Sequence, residues 1–131
     1  MKNNRLSPRL KSRKTIETLF GGKGTTAITA YPIRATFFEE DLNVGDAPVQ
    51  VMFSVSKRHF KHAVDRNRVK RQMREVYRLN IMQQLTEHAN SSQKRISVAF
   101  IWLAARKYNS EDIAQRMRKI LAKMNIIGTE A

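Results

Sequence analysis

The chain has no cysteine, which excludes disulfides, thiolate zinc sites and a cysteine nucleophile and is compatible with a reducing compartment. It is also short of acids. Eleven Asp and Glu stand against 25 Lys and Arg, a formal charge of +14 over 131 residues. A surface so one-sided repels itself unless a polyanion answers it. Nucleic acid is therefore the expected partner, with an anionic membrane surface a distant second. No apolar run reaches the roughly 18 residues of a membrane helix, and the basic N-terminus lacks the apolar stretch of about 7 to 15 residues that marks a signal peptide. The expectation is a soluble, cytoplasmic protein with no membrane partner. Its length fits one domain that buries roughly two-thirds of its unfolded surface around a single core.

What is present in excess is positive charge, and it is concentrated. Between residues 57 and 78 there are nine cations, Lys57, Arg58, Lys61, Arg66, Arg68, Lys70, Arg71, Arg74 and Arg78, against Asp65 and Glu75. At about 100° per residue, Val69, Met73 and Val76 share one sector of a helix with Tyr77 at its edge, which predicts a buried face. Lys70, Arg71, Arg74 and Arg78, with Asn67, fall on the opposite side. Arg66 and Arg68 flank the two sectors near the helix start, where free backbone N–H groups attract phosphate oxygens. An ordinary solvated helix face mixes signs to form i,i+4 pairs. Here Glu75 is the main acid on offer, so a phosphate-binding ridge is the better reading.

The rest of the chain is expected to support this ridge. Residues 1–12 read as a basic, flexible, extended arm that orders on binding. A short helix follows over 13–20, with Ile16, Leu19 and Phe20 on one side, ended by Gly21 and Gly22. The G-x-x-G of residues 21–24 and its Gly-Lys pair lack the flanking strand and helix that a KH or P-loop reading needs. Alternation predicts a strand over 30–38, with Pro32 near its start and a further short strand before it, then a turn-rich connection from Glu39, and a strand over 49–56. The basic helix persists to about Leu85, although Ile81 and Leu85 drift toward the ridge side, so it bends or its end meets something else. Residues 88–93 read as a polar loop. Residues 96–105, apolar on both faces, read as a central strand. Ser110 is expected to cap a last helix that buries Ile113, Met117, Ile120, Leu121 and Met124. The resulting class is α+β, with helices packed on a mixed sheet. The domain spans 13–126 and a tail covers 127–131.

No catalytic constellation emerges. His59, His62 and Asp65 are three apart, but Arg58, Lys61, Arg66 and Arg68 surround them and disfavour a divalent cation. Glu39, Glu40 and Asp41 have no partner acid of known geometry. No residue is assigned as catalytic or metal-ligating.

The run Ser54-Val55-Ser56-Lys57-Arg58, followed by Ala63-Val64-x-Arg66-Asn67-Arg68-Val69-Lys70-Arg71-x-x-Arg74-Glu75, resembles the signature of the protein subunit of bacterial ribonuclease P. The resemblance extends more weakly over most of the chain. It implies an α-β-β-β-α-β-α sandwich like the second domain of ribosomal protein S5, with a left-handed βαβ crossover. It implies a ribonucleoprotein endonuclease in which a large catalytic RNA, using Mg²⁺ bound mainly by RNA and substrate, removes the 5′ leader of precursor tRNA. The protein would assist without being catalytic, and no protein oligomer is required. Arg66, Asn67, Arg68, Lys70, Arg71 and Arg74 would lie against RNA, with Lys57, Arg58, Lys61 and Arg78 extending that surface. A cleft between the first helix and the sheet would hold the leader, with Ile16, Phe20 and Phe37 as its residues. Ile16 stands where the family commonly has Phe. The alternative is a ribosomal or other structural RNA-binding protein with no role in cleavage.

Overall fold

The computed structural model describes residues 8–124. Residues 1–7 of the expected arm and the tail at 127–131 lie outside the described residues. The elements run α1 (Arg13–Gly21), β1 (Thr26–Ala30), β2 (Ile33–Asp41), β3 (Val49–Val55), α2 (Ala63–Asn80), α3 (Met82–Ser92), β4 (Lys94–Trp102) and α4 (Ser110–Lys123). The four strands form one mixed sheet in the order β1-β2-β4-β3, with β3 parallel to β4 and the other pairs antiparallel. The parallel pair is the one joined by α2 and α3, as parallel strands need a long crossover.

The apolar pattern of β4 explains its central place. Ile96, Val98, Phe100 and Trp102 point into the main core, while Ala99 is buried on the opposite face. On the main side, Val69, Met73, Val76 and Tyr77 of α2 meet Ile113, Met117, Ile120 and Leu121 of α4. The other face is covered by α1, whose Leu19 packs with Leu10 and Ala99. The Thr36 hydroxyl donates to the Leu19 carbonyl at 3.2 Å, fixing α1 to β2. The sheet thus has one thick helical side and one thinly covered side.

Several elements differ from the sequence reading, each for a physical reason. The helix expected to run to Leu85 breaks at Ile81, whose backbone (φ −122°, ψ −37°) leaves the helical range. A continuous helix would swing Ile81 and Leu85 toward the ridge, whereas the break buries both. Each such burial is worth about 1.5–3 kcal/mol, more than the roughly 0.5–1.5 kcal/mol of a helix hydrogen bond. The connection therefore holds two helices where the family pattern implied one. Residues 88–92, read as a loop, continue α3 because Ala89 follows Leu85 at i,i+4 into the core. The chain leaves α3 at Gln93, in the left-handed region at φ 58°.

The expected strand over 30–38 is divided between β1 and β2 by a turn at Tyr31 and Pro32, since proline has no N–H for the ladder. Beyond Phe38 it continues through Glu39, Glu40 and Asp41, where the sequence pattern alone predicts a turn-rich connection. These acids lie opposite Ile96, Arg95 and Lys94 of β4, and Lys94 Nζ is 2.9 Å from Asp41 Oδ1. Cross-strand charge pairing extends both strands where the apolar alternation stops. β4 accordingly starts at Lys94 and ends at Trp102. The cap of α4 is Asn109, whose side-chain oxygen accepts from Asp112 N at 2.8 Å; Ser110 is the first helical residue. In the N-terminal segment, Leu10 N donates to Val51 O and Val51 N to Pro8 O. Residues 8–10 therefore run along the outer edge of β3.

Candidate nucleic-acid interface

The site is built on α2 and the loop leading into it. Val69, Met73, Val76 and Tyr77 fasten one side of the helix to the sheet, which leaves Asn67, Arg68, Arg71, Arg74 and Arg78 exposed and Lys70 half-buried. This is the division that the helical spacing predicts. Phe53 stacks on Phe100 with centroids 5.6 Å apart, and Tyr77 meets Phe53 edge-on at 5.8 Å. The Arg74 guanidinium lies 5.5 Å above the Phe53 ring, a cation–π arrangement that restrains its long side chain. Burial pushes the Tyr77 phenol well above its usual range, so the hydroxyl stays neutral under the ridge.

The loop before α2 is pinned at three points. Ser56 O accepts from the backbone N–H groups of His59 and Phe60, Ser56 Oγ accepts from Arg58 N at 3.0 Å, and Phe60 is buried in the core. Arg66 Nη1 then donates to the carbonyls of Phe60 at 2.9 Å and Lys61 at 3.0 Å. Lys57, Arg58 and Lys61 are exposed on this fixed loop. Arg66 thus differs from the other predicted contacts, because it holds the loop that carries them.

The acids near the ridge are taken up at its margins. Lys107 Nζ is 2.9 Å from Asp65 Oδ1, and this hydrogen bond lowers the Asp65 carboxyl below its usual range. Arg78 holds Glu75 through two contacts, at 3.2 and 2.6 Å, which lowers the Glu75 carboxyl and raises the guanidinium. None of the ion pairs among the described residues involves Lys57, Arg58, Lys61, Arg68, Lys70, Arg71 or Arg74. Asn67, Lys70, Arg71, Arg74 and Arg78 line one wall of a groove of about 690 Å³, with residues 8–10 and 51–53 opposite. Sequence reading missed that opposite wall. Its one local signal was Leu10, an apolar residue within the basic arm.

The second predicted site is assembled differently. On α1, Ile16 is half-buried and Phe20 is 50% exposed. Phe37 does not join them. It packs against the main core on the helical side of the sheet, and the aromatic residue facing α1 is Phe38. Strand parity carried this information, because Phe37 shares its face with Ile33 and Ala35. A groove of about 360 Å³ runs between Thr15 and Thr18 of α1 and Phe38, Glu40, Gln50 and Arg95 of the strands. Phe38 supplies its aromatic side, and the other residues that line it are polar or charged.

His59, His62 and Asp65 do not converge, and no group of three or more His, Asp or Glu among the described residues could hold a metal ion. No helix of the described residues is long and apolar enough to cross a membrane.

Comparison with known proteins extends the resemblance over the chain. The sequence model of the Ribonuclease P family matches residues 5–125. The ribonuclease P protein component of Porphyromonas gingivalis is 33% identical over 123 residues, covering 90% of this chain and 83% of that protein. The component from Chlorobaculum tepidum is 45% identical over 60 residues, 44% of this chain and 39% of that protein. Among solved structures, a Staphylococcus aureus RNase P protein mutant with defective mRNA degradation activity aligns with a TM-score of 0.61 at 16% identity, over 89% of this chain and 87% of that one. The RNase P protein from Thermotoga maritima aligns with a TM-score of 0.59 at 17% identity, over 88% and 96%. With the fold and the family match in agreement, this chain belongs to the ribonuclease P protein family.

Proposed function

We propose that this protein is the protein component of a ribonuclease P ribonucleoprotein, binding the catalytic RNA and the 5′ leader of precursor tRNA and assisting 5′ maturation. Asn67, Arg68, Lys70, Arg71 and Arg74 contact RNA backbone, and Lys57, Arg58 and Lys61 extend the surface, with Arg78, held by Glu75, at its margin. Arg66 acts by keeping their loop in place. Phe20 offers a base-stacking platform at the edge of α1. The catalytic RNA and its substrate hold the Mg²⁺ ions that supply the hydrolytic chemistry, and this chain's part is to neutralise phosphate repulsion between the two RNAs.

One observation carries the reading: Arg68, Lys70, Arg71 and Arg74 sit on a rigidly backed helix and no carboxylate in the described structure pairs with them. Desolvated anions repay such an arrangement, and water alone does not. The test is reconstitution at low Mg²⁺. Leader removal is expected only when the chain and a catalytic ribonuclease P RNA are both present. Cleavage that is indifferent to the protein, with duplex DNA displacing precursor tRNA at equal affinity, would instead fit a general RNA-packing protein.

A further inference from the structure

A second cationic surface lies on α4. From Gln115 to Lys123 this helix carries Arg116, Arg118, Lys119 and Lys123 and no acid. Its buried face is set by Ile113, Met117, Ile120 and Leu121. At about 100° per residue, that places Arg116, Lys119 and Lys123 within roughly 60° of one another on one flank. Arg118 falls on the other flank, where it donates to Asn80 Oδ1 of α2 at 2.9 Å and faces Glu111 at 3.5 Å. The seam between α2 and α4 is thus neutralised and hydrogen-bonded, and Gln72 adds contacts to Tyr108 O and Ser110 Oγ. The outer flank is not neutralised. Lys119 and Lys123 are exposed, and neither belongs to an ion pair among the described residues. Asp112, one turn nearer the helix start, bounds the patch.

Two further facts separate this flank from an ordinary solvated face. Arg116 Nε donates to the Tyr31 carbonyl at 2.9 Å, anchoring the cation at the β1–β2 turn. Tyr31, whose carbonyl Arg116 meets, is itself 57% exposed. Favourable interaction with the helix C-terminus accounts for Lys123, but not for Arg116 and Lys119 further back. One anchored arginine and two exposed lysines next to an exposed tyrosine residue have the composition of surfaces that contact phosphate and ribose.

We propose that the α4 flank formed by Arg116, Lys119 and Lys123, beside Tyr31, is a second RNA site that takes the sugar-phosphate backbone of double-stranded RNA. A helix flank presents point charges and no cavity for a splayed base, which suits a duplex recognised by shape and phosphates. The site rests on RNA being this protein's ligand. With the neutralised seam between them, the α2 ridge and this flank make the protein a bivalent bridge.

The experiment uses the full chain and an RNA hairpin duplex, following log affinity against log salt. The Lys119→Ala/Lys123→Ala variant is expected to lower the slope by about 1.8, about 0.9 for each lost phosphate contact. The Lys119→Arg/Lys123→Arg variant is expected to keep the parent slope. An Arg71→Ala/Arg74→Ala variant reports separately on the α2 ridge. A parental slope for the α4 alanine variant, alongside a reduced slope for the α2 variant, overturns the second site and leaves the proposed function standing. Parental slopes for both would overturn both. A reduced slope in the arginine variant would also sink the proposal, since charge would then not be the cause.

Discussion

Arg74 and Arg95 are guanidinium groups over the same sheet, put to opposite uses. Arg74 is exposed on α2, resting on the Phe53 ring with no carboxylate partner among the described residues. Arg95 is 2% exposed on β4, in register with Glu40 of β2, at the base of the groove under α1. A count of cations does not distinguish them; the placement of acids does. Asp41 and Glu40 face Lys94 and Arg95 across two strands, so charge there is part of the sheet. On α2, Asp65 and Glu75 are drawn to the margins by Lys107 and Arg78, and the centre of the ridge keeps its field for an outside anion.

The comparison breaks most readily at the ridge. Replacing Lys70, Arg71 and Arg74 together by alanine is expected to lower the slope of log RNA affinity against log salt by about 2.1–2.7, or roughly a hundredfold in affinity at about 0.15 M salt. Stability should fall by only about 1 kcal/mol, the size of the Arg74–Phe53 cation–π contact that is lost. Filter binding across a salt series, with circular dichroism melting, measures both. Arg95→Ala should give the reverse: a loss of roughly 2 kcal/mol in stability from truncating a buried charged group, with the salt slope unchanged. If Arg95→Ala moved the slope and the ridge variant did not, the two arginines would have to exchange roles.

The same contrast explains what the sequence made legible. The ridge could be read because α2 obeys a single period: four apolar residues fix its inner face, and everything opposite must be outside. Central placement of β4 followed likewise from apolar residues at both parities. What escaped depends on pairing between distant segments. The extension of β2 through Asp41 is held by Lys94, 53 residues later. The break at Ile81 answers a core assembled from four strands, and the edge pairing of residues 8–10 shows locally only as the apolar Leu10 within a basic arm. Phe37 was misplaced for a different reason. Helix–sheet clefts invite aromatic residues by analogy, whereas its parity with Ile33 and Ala35 had already assigned it to the other face.

Phe20 and Phe37 therefore supply the next test. Phe20→Ala should weaken binding of a leader-bearing precursor tRNA toward the lower end of the about 1–3 kcal/mol of base stacking, because the ring is only half-exposed. Leaderless tRNA should bind as before, and stability should hardly change. Phe37→Ala should lower the melting temperature through the cavity it leaves and should not discriminate between RNAs with and without leader. Equal losses on both RNAs for Phe20→Ala would remove it from the leader surface.

The smallest effect probes the margin of the ridge itself. Arg78 is exposed and belongs to the ridge by position, but Glu75 holds it through two hydrogen-bonding contacts. Glu75→Gln removes the carboxylate charge and should release Arg78 to phosphate, raising the salt slope by about 0.7–0.9. The sign is opposite to every other substitution on this helix. Acid should reproduce it. Hydrogen bonding from Arg78, with its adjacent charge, holds the Glu75 carboxyl below its usual 4.5. The pair's contribution to stability is therefore complete above that value and is lost as pH falls through the lowered one. As Glu75 protonates, the parent's salt slope should rise to meet that of Glu75→Gln, whose own slope has no such transition. A parent and variant that stay parallel down the pH series would mean that Arg78 contributes to RNA binding equally with and without its carboxylate partner.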